Sequence, residues 1–211
     1  MHCDGATEEL PVSDTSAIVG DDGIARCAWG TSSDEYRRYH DDEWGYPLHG
    51  DRPIFEKISL EGFQAGLSWI SILRRREAFR EVFHGFDIVR VANLTPADAD
   101  ALMADARIIR NRAKIEATIS NARVVRELTS GNPGALDELV WSFAPPVHAR
   151  PRSFADVPAV TPESTALSAA LRAAGLRFVG PTTMYALMQS GGLVDDHVSG
   201  CWRADAVDNR A

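Results

Sequence analysis

An all-α fold is predicted by three features of this 211-residue chain. Apolar residues recur at helical spacing in each segment from about Arg26 onward. Prolines and short polar residues stand where those segments begin. No stretch alternates apolar and polar residues as a half-buried strand would, and no internal repeat is visible. The expected organisation is an acidic tail over residues 1–25, a helical domain over 26–204, possessing one lobe or two around a pocket, and a short tail over 205–211.

Taken in order, residues 1–25 lack periodicity, are rich in acids, Ser and Gly, and read as a flexible tail. Asp51 is placed to cap a helix that has Pro53 in its first turn and Ile54, Phe55 and Ile58 on its apolar face. Gly62 and Gly66 bracket a break, and Trp69, Ile70, Ile72 and Leu73 open a second helix running toward Gly85. Thr95-Pro96-Ala97-Asp98 has the form of a capping box with proline at the first helical position. Ile115, Ile119, Ala122 and Val125 make a stripe that runs toward Gly131. Leu136, Leu139, Val140 and Phe143 keep the same period until Pro145-Pro146 ends it. The proline-rich stretch 144–160 is expected as a surface loop. Residues 161–165 open a helix with Leu167 and Leu171 inside and Gly175 at its end. A last helix covers Pro181 to about Gln189.

Bulk composition bounds the rest. No apolar run reaches the roughly 18–20 residues of a membrane span, and the N-terminus lacks a secretory signal pattern. Three cysteines, an odd count, fit a reducing, cytoplasmic setting better than a disulfide framework. Cys3 stands apart as a free thiol in the tail. The formal charge is −8, but six of the 30 acids fall in residues 1–25, where no Lys or Arg stands. The remaining 24 acids nearly balance 22 bases, 20 of them arginine. Net charge therefore does not exclude nucleic acid.

Two groups of residues could carry chemistry. Cys27 and His40 lie near one end, and His197 and Cys201, one helical turn apart, near the other. Together they form a Cys2His2 set suited to a structural zinc ion. From spacing alone, unrelated buried cysteines and surface histidines remain open. The second group is aromatic: Trp29, Tyr36, Tyr39, Trp44 and Tyr46. Aromatic residues at this spacing are also ordinary core. Glu61, with Leu60, Phe63 and a glycine beside it and Trp69 eight residues on, is either a solvated helix residue or a carboxylate facing a partly apolar pocket. Aromatic faces with one acid suit an extruded, positively charged purine. Stacking is worth about 1–3 kcal/mol per base. A carboxylate about 4 Å from a cationic base adds about 4 kcal/mol at an effective dielectric near 20.

HDDEWG (40–45), LEGFQAGLSWI (60–70), ARIIRNRAKI (106–115), VWSF (140–143) and LRFVGPTTMYALMQSGGLVDDHVSGC (176–201) occur in this order. Together they resemble the DNA-3-methyladenine glycosylase I family over about Arg26 to Trp202. The resemblance implies a helix-hairpin-helix glycosylase fold, with one structural zinc on Cys27, His40, His197 and Cys201 joining the N- and C-terminal segments. It implies base recognition by Glu61, stacking by Trp69 and contact by Tyr39, with Tyr36, Trp44 and Trp29 lining the pocket. The implied reaction is hydrolysis of the N-glycosidic bond of 3-methyladenine in alkylated double-stranded DNA by a monomer that flips the base and leaves an abasic site.

On the same basis Arg107, Arg110, Arg112 and Lys114 fall at the hairpin and the next helix, where they could meet phosphate; a solvated basic face is the plainer reading. Arg107 departs from the family's usual glycine. Arg74, Arg75 and Arg76 are weaker phosphate candidates. Leu67 is a candidate wedge for the gap left by a flipped nucleotide, or ordinary core. Lys114 has no visible apolar surroundings to depress its pKa, so hydrolysis is preferred to Schiff-base lyase chemistry. His49 and His148 read as surface residues. A zinc-stabilised DNA-binding damage sensor without catalysis, and a binder of free cationic purines, are the competing readings.

Overall fold

The computed structural model describes residues 17–204, so Cys3 and the C-terminal tail lie outside the described residues. The chain is mostly helical, as expected. One departure is a minimal antiparallel pair, β1 (Ile18–Val19) and β2 (Ala25–Arg26), in the part expected as tail. Two-residue strands are too short to show alternation. The pair is instead held by Arg26, whose buried guanidinium bonds both Asp22 and Asp41.

A 3-10 turn at Ala28–Thr31 leads into α1 (Asp34–Asp42), capped by the Ser33 hydroxyl accepting from the Tyr36 amide. The next helix, α2 (Asp51–Gln64), buries Ile54, Phe55, Ile58 and every residue from Ser59 to Phe63. A helix buried on so many sides sits at the centre of a fold. It packs on α8 (Ala135–Trp141), α7 (Arg112–Leu128), α3 (Trp69–Leu73) and α10 (Pro181–Ser190).

Asp51 does not cap its own helix. Gly50 is the cap residue of α2, and the Asp51 carboxylate accepts from the Gly134, Leu136 and Asp137 amides at the start of α8. Asp137 returns the contact by accepting from the Gly50 amide at 2.9 Å. The two carboxylates are exchanged between helix N-termini, satisfying donors that would otherwise be orphaned.

The break after α2 falls at Gly66, which has φ +82°, and not at Gly62. Helix α2 runs through Gly62, where a Cβ would meet the Phe178 side chain at 3.3 Å, so glycine there serves close packing. The single helix expected from Trp69 to Gly85 is divided into α3, α4 (Arg76–Val82) and a 3-10 turn at His84–Phe86. No glycine or proline marks the interruption at Arg74–Arg75. The short α5 (Ile88–Ala92) packs on α7.

Thr95 and Asp98 form the expected capping box of α6 (Pro96–Ala104). After the loop 105–111, Asn111 caps α7, whose Ile115, Ile119, Ala122 and Val125 are buried. Stretch 144–160 is a loop with one 3-10 turn at Phe154–Asp156, and α9 (Pro162–Ala173) ends before Gly175 as expected. One large core joins α2 to the later helices; a second, small cluster surrounds Cys27, Val198, Cys201 and Ala204. Among the described residues no helix is long and apolar enough to cross a membrane.

Candidate functional site: an aromatic cleft beside a Cys/His cluster

Cys27, His40, His197 and Cys201 converge, all buried, with their donor atoms within 4.8 Å of one another. The Cys201 Sγ lies 3.4 Å from His40 Nε2 and 3.7 Å from His197 Nδ1, and Cys27 Sγ lies 3.7 Å from the same Nδ1. Sulfur at about 2.3 Å and nitrogen at about 2.0 Å from a tetrahedral ion stand roughly 3.6 Å apart. Those three distances are close to that spacing, and the donor set suits such an ion. The other ring nitrogens are engaged: His40 Nδ1 with Asp41 at 2.8 Å, and His197 Nε2 with the Trp44 carbonyl at 3.3 Å. This is the outer-shell arrangement that aims imidazoles at a metal. Hydrogen bonding from Cys27 and from both imidazoles pulls the Cys201 thiol well below its usual range.

The cluster abuts a cleft. The His197 ring meets Trp44 at 4.6 Å, and Trp29 packs edge-on against His40, Trp44 and Tyr36. Trp29, Tyr36 and Trp44, with Tyr39, Glu61, Trp69 and Ser190, line a cavity of about 280 Å³. Each element contributes through its register. On α1, Tyr36 and Tyr39 are one turn apart, and the Tyr36 hydroxyl accepts from the Ile70 amide, anchoring the start of the helix that carries Trp69. The Tyr39 and Trp69 rings stand 5.4 Å apart at a tilt of 40°. From the central helix, Glu61 enters the cleft only 3% exposed and accepts from the Ser190 hydroxyl of α10 at 3.2 Å. Trp69 Nε1 is buried without a partner among the described residues.

All six pocket residues named from the sequence are brought together. A residue behind the cleft wall was missed. Lys57, one turn before Glu61, places its ammonium 3.2 Å from the Glu61 carboxylate, donates to the Tyr39 hydroxyl at 2.6 Å, and lies 4.1 Å from the Trp69 ring centroid. Burial pulls that ammonium down, but Tyr39 and Glu61 outweigh burial and hold its pKa above the ordinary value. Burial pushes the Tyr39 hydroxyl up. The i,i+4 spacing of Lys57 and Glu61 was the available signal. Its consequence is a correction: Glu61 is not a lone negative charge, so the attraction for a cationic base is smaller than a single carboxylate implies.

The basic residues fare differently. Lys114 is buried, and its ammonium donates to the Phe63 and Ala65 carbonyls at 2.9 and 2.6 Å, ending α2 rather than facing phosphate. Desolvation lowers its pKa, contrary to the expectation of no such surroundings. It does not line the aromatic cleft, which leaves it out of reach for Schiff-base chemistry there. Arg107 is exposed and paired with Asp105 and Glu81, Arg112 with Asp100 and Glu116, and Arg110 is exposed. Arg74 and Arg76 pair with Glu35 and Glu43, and Arg75 bonds the Ser71 carbonyl. Leu67 is 43% exposed on the turn after α2, so it is not core. His49 is exposed, stacked on Trp141. His148 is not a free surface histidine; its Nε2 meets the buried Asp196 at 2.7 Å.

Fold and cleft define a helical protein with a pocket lined by aromatic rings beside a buried carboxylate. The methyladenine glycosylase family model matches residues 29–204. The chain is 45% identical to DNA-3-methyladenine glycosylase 1 of Escherichia coli (strain K12) over 180 residues, 84% of this chain and 96% of that protein. It superposes on a crystal structure of 3-methyladenine DNA glycosylase I with TM-score 0.81 and 44% identity, covering 84% of this chain and 98% of the other. A variant of 3-methyladenine DNA glycosylase I in complex with 3-methyladenine gives TM-score 0.79 at 33% identity, over 84% and 96% of the two chains. The chain belongs to the methyladenine glycosylase family.

Proposed function

We propose that the protein excises 3-methyladenine from alkylated double-stranded DNA, hydrolysing the N-glycosidic bond as a monofunctional glycosylase and leaving an abasic site. The observation that carries this reading is the burial of Glu61 in the wall of a cleft otherwise lined by Tyr39, Trp69 and further aromatic rings. A purine flipped out of the duplex gains stacking there and offers its amino edge to the carboxylate. The orphaned Trp69 Nε1 is a donor that an acceptor on such a ligand would satisfy,. Methylation at N3 makes the base cationic, so it leaves without being protonated first. Glu61 then acts by holding the base in place.

Leu67, exposed on the turn beside Gly66, is suited to fill the vacated stack,. The loop 105–111 between α6 and α7 would serve as the hairpin, where Arg107, Arg110 and Arg112 supply charge toward phosphate. Cys27, His40, His197 and Cys201 would hold a zinc ion, which supplies a structural tie and no chemistry at the base. The chain would act as a monomer in the cytoplasm. Release of free 3-methyladenine from methylated duplex DNA, beside a Glu61→Gln control, tests the reading. Binding of the DNA without release would leave a damage sensor; binding of free 3-methyladenine alone would leave a purine-binding protein.

A further inference from the structure

We infer that Lys57 is a specificity-determining residue that sets which charge state of the base the pocket holds best, an inference that rests on the glycosylase reading above. A second cavity of about 260 Å³ adjoins the aromatic cleft and shares Tyr39, Trp69 and Ser190 as a common wall. Lys57 lines this second cavity, whereas Glu61 lines the cleft. The ammonium thus reaches Glu61 at 3.2 Å and the Trp69 ring at 4.1 Å from behind the wall. With 12% of its side chain exposed, it is screened little by solvent,. A purine seated against Tyr39 and Trp69 would have a carboxylate beside it and an ammonium across the rings.

The reaction moves charge off the base. In the alkylated nucleotide the purine is cationic. When the bond from N9 to C1′ breaks, its electron pair stays with N9, the base becomes neutral, and the positive charge passes to the sugar. Water then adds to C1′ and releases a proton to solvent. An unopposed Glu61 would favour the cationic reactant over the neutral leaving base, and so oppose that transfer; only interactions stronger in the transition state speed the step. Lys57 cancels this preference. It weakens the hold on the cation and lets the charge depart.

The test compares two ligands by tryptophan fluorescence in mildly alkaline buffer. One is free 3-methyladenine, which is neutral there. The other is 3,9-dimethyladeninium, a fixed cation that cannot be cleaved. Lys57→Met is expected to shift the preference toward the cation by about tenfold relative to the wild type, equivalent to about 1.4 kcal/mol. On methylated duplex DNA it should lower the single-turnover excision rate while also lowering the enzyme concentration needed for half-saturation. Lys57→Arg, which restores the charge, should restore the wild-type preference. Should Lys57→Met fail to fold, Lys57→Gln carries the same comparison.

An unchanged ligand preference in the charge-removing variant overturns the inference, as does an equal shift in Lys57→Arg, which would mean a role in shape alone. If wild-type protein excises 3-methyladenine and Glu61→Gln does not, the glycosylase reading stands whatever Lys57 does. If the wild type binds neither ligand and excises nothing, both fall together.

Discussion

The Lys114 ammonium lies 2.6 Å from the Ala65 carbonyl, across 49 residues of sequence. It thereby pins the first turn of α7 to the end of α2, where the turn bearing Leu67 begins. The cation ends one helix at its carbonyl pole, where positive charge is favoured. The start of α7 and the turn bearing Leu67 are held in one piece by a residue that faces inward.

Lys114→Met should therefore cost about 2 kcal/mol of stability, since two carbonyls lose a charged donor. Urea unfolding measures this. A midpoint unchanged from wild type would mean that the two carbonyls find other donors at no cost.

Leu67→Ala should leave stability within about 0.5 kcal/mol, as expected for an exposed position. Excision from duplex DNA should fall by about tenfold, while excision from a single strand, where no stack needs filling, should fall less. Equal losses on both substrates would remove Leu67 from the role of wedge.

About one zinc per chain should be found by metal analysis. Chelation, or Cys201→Ser, should lower stability by about 4 kcal/mol. Because Trp44 and Trp29 lean on the imidazoles, their fluorescence should change along with it. Full stability after complete removal of metal would show that the four side chains pack without an ion.

How much of this was legible beforehand varied with the physics. Local chemistry was readable: the Thr95 box, the break at Gly66 and the stripe from Ile115 to Val125 follow from single residues and short spacings. The pocket residues came through resemblance, because aromatic residues at helical spacing are also ordinary core. Missing were the facts set by tertiary partners. Asp51 looks like a cap for its own helix and caps α8. Arg74–Arg75 interrupts a helix with no residue that announces it. Lys57 and Lys114 both turn inward, and a lysine's direction depends on what lies opposite.

Stability should also respond to alkaline pH through Lys57. Its pKa is raised in the folded state, so the folded protein keeps a proton that the unfolded chain releases near about pH 10.4,. The resulting stabilisation is complete below that pH and is lost as pH rises through the folded value. Urea midpoints taken across this range should decline, and Lys57→Met should flatten the decline. A variant that tracks the wild type at every pH would show that Lys57 has no share in it.

The cysteine-histidine cluster joins positions about 170 residues apart in the chain, with Cys27 emerging from the ribosome well before His197 and Cys201. Growing chains fold as they are synthesised, yet the Trp44 and Trp29 wall cannot gain the His197 ring behind it until the chain has passed that position. A nascent polypeptide cut short before position 197 would carry Glu61, Tyr39 and Trp69 and still lack the imidazole against which Trp44 packs.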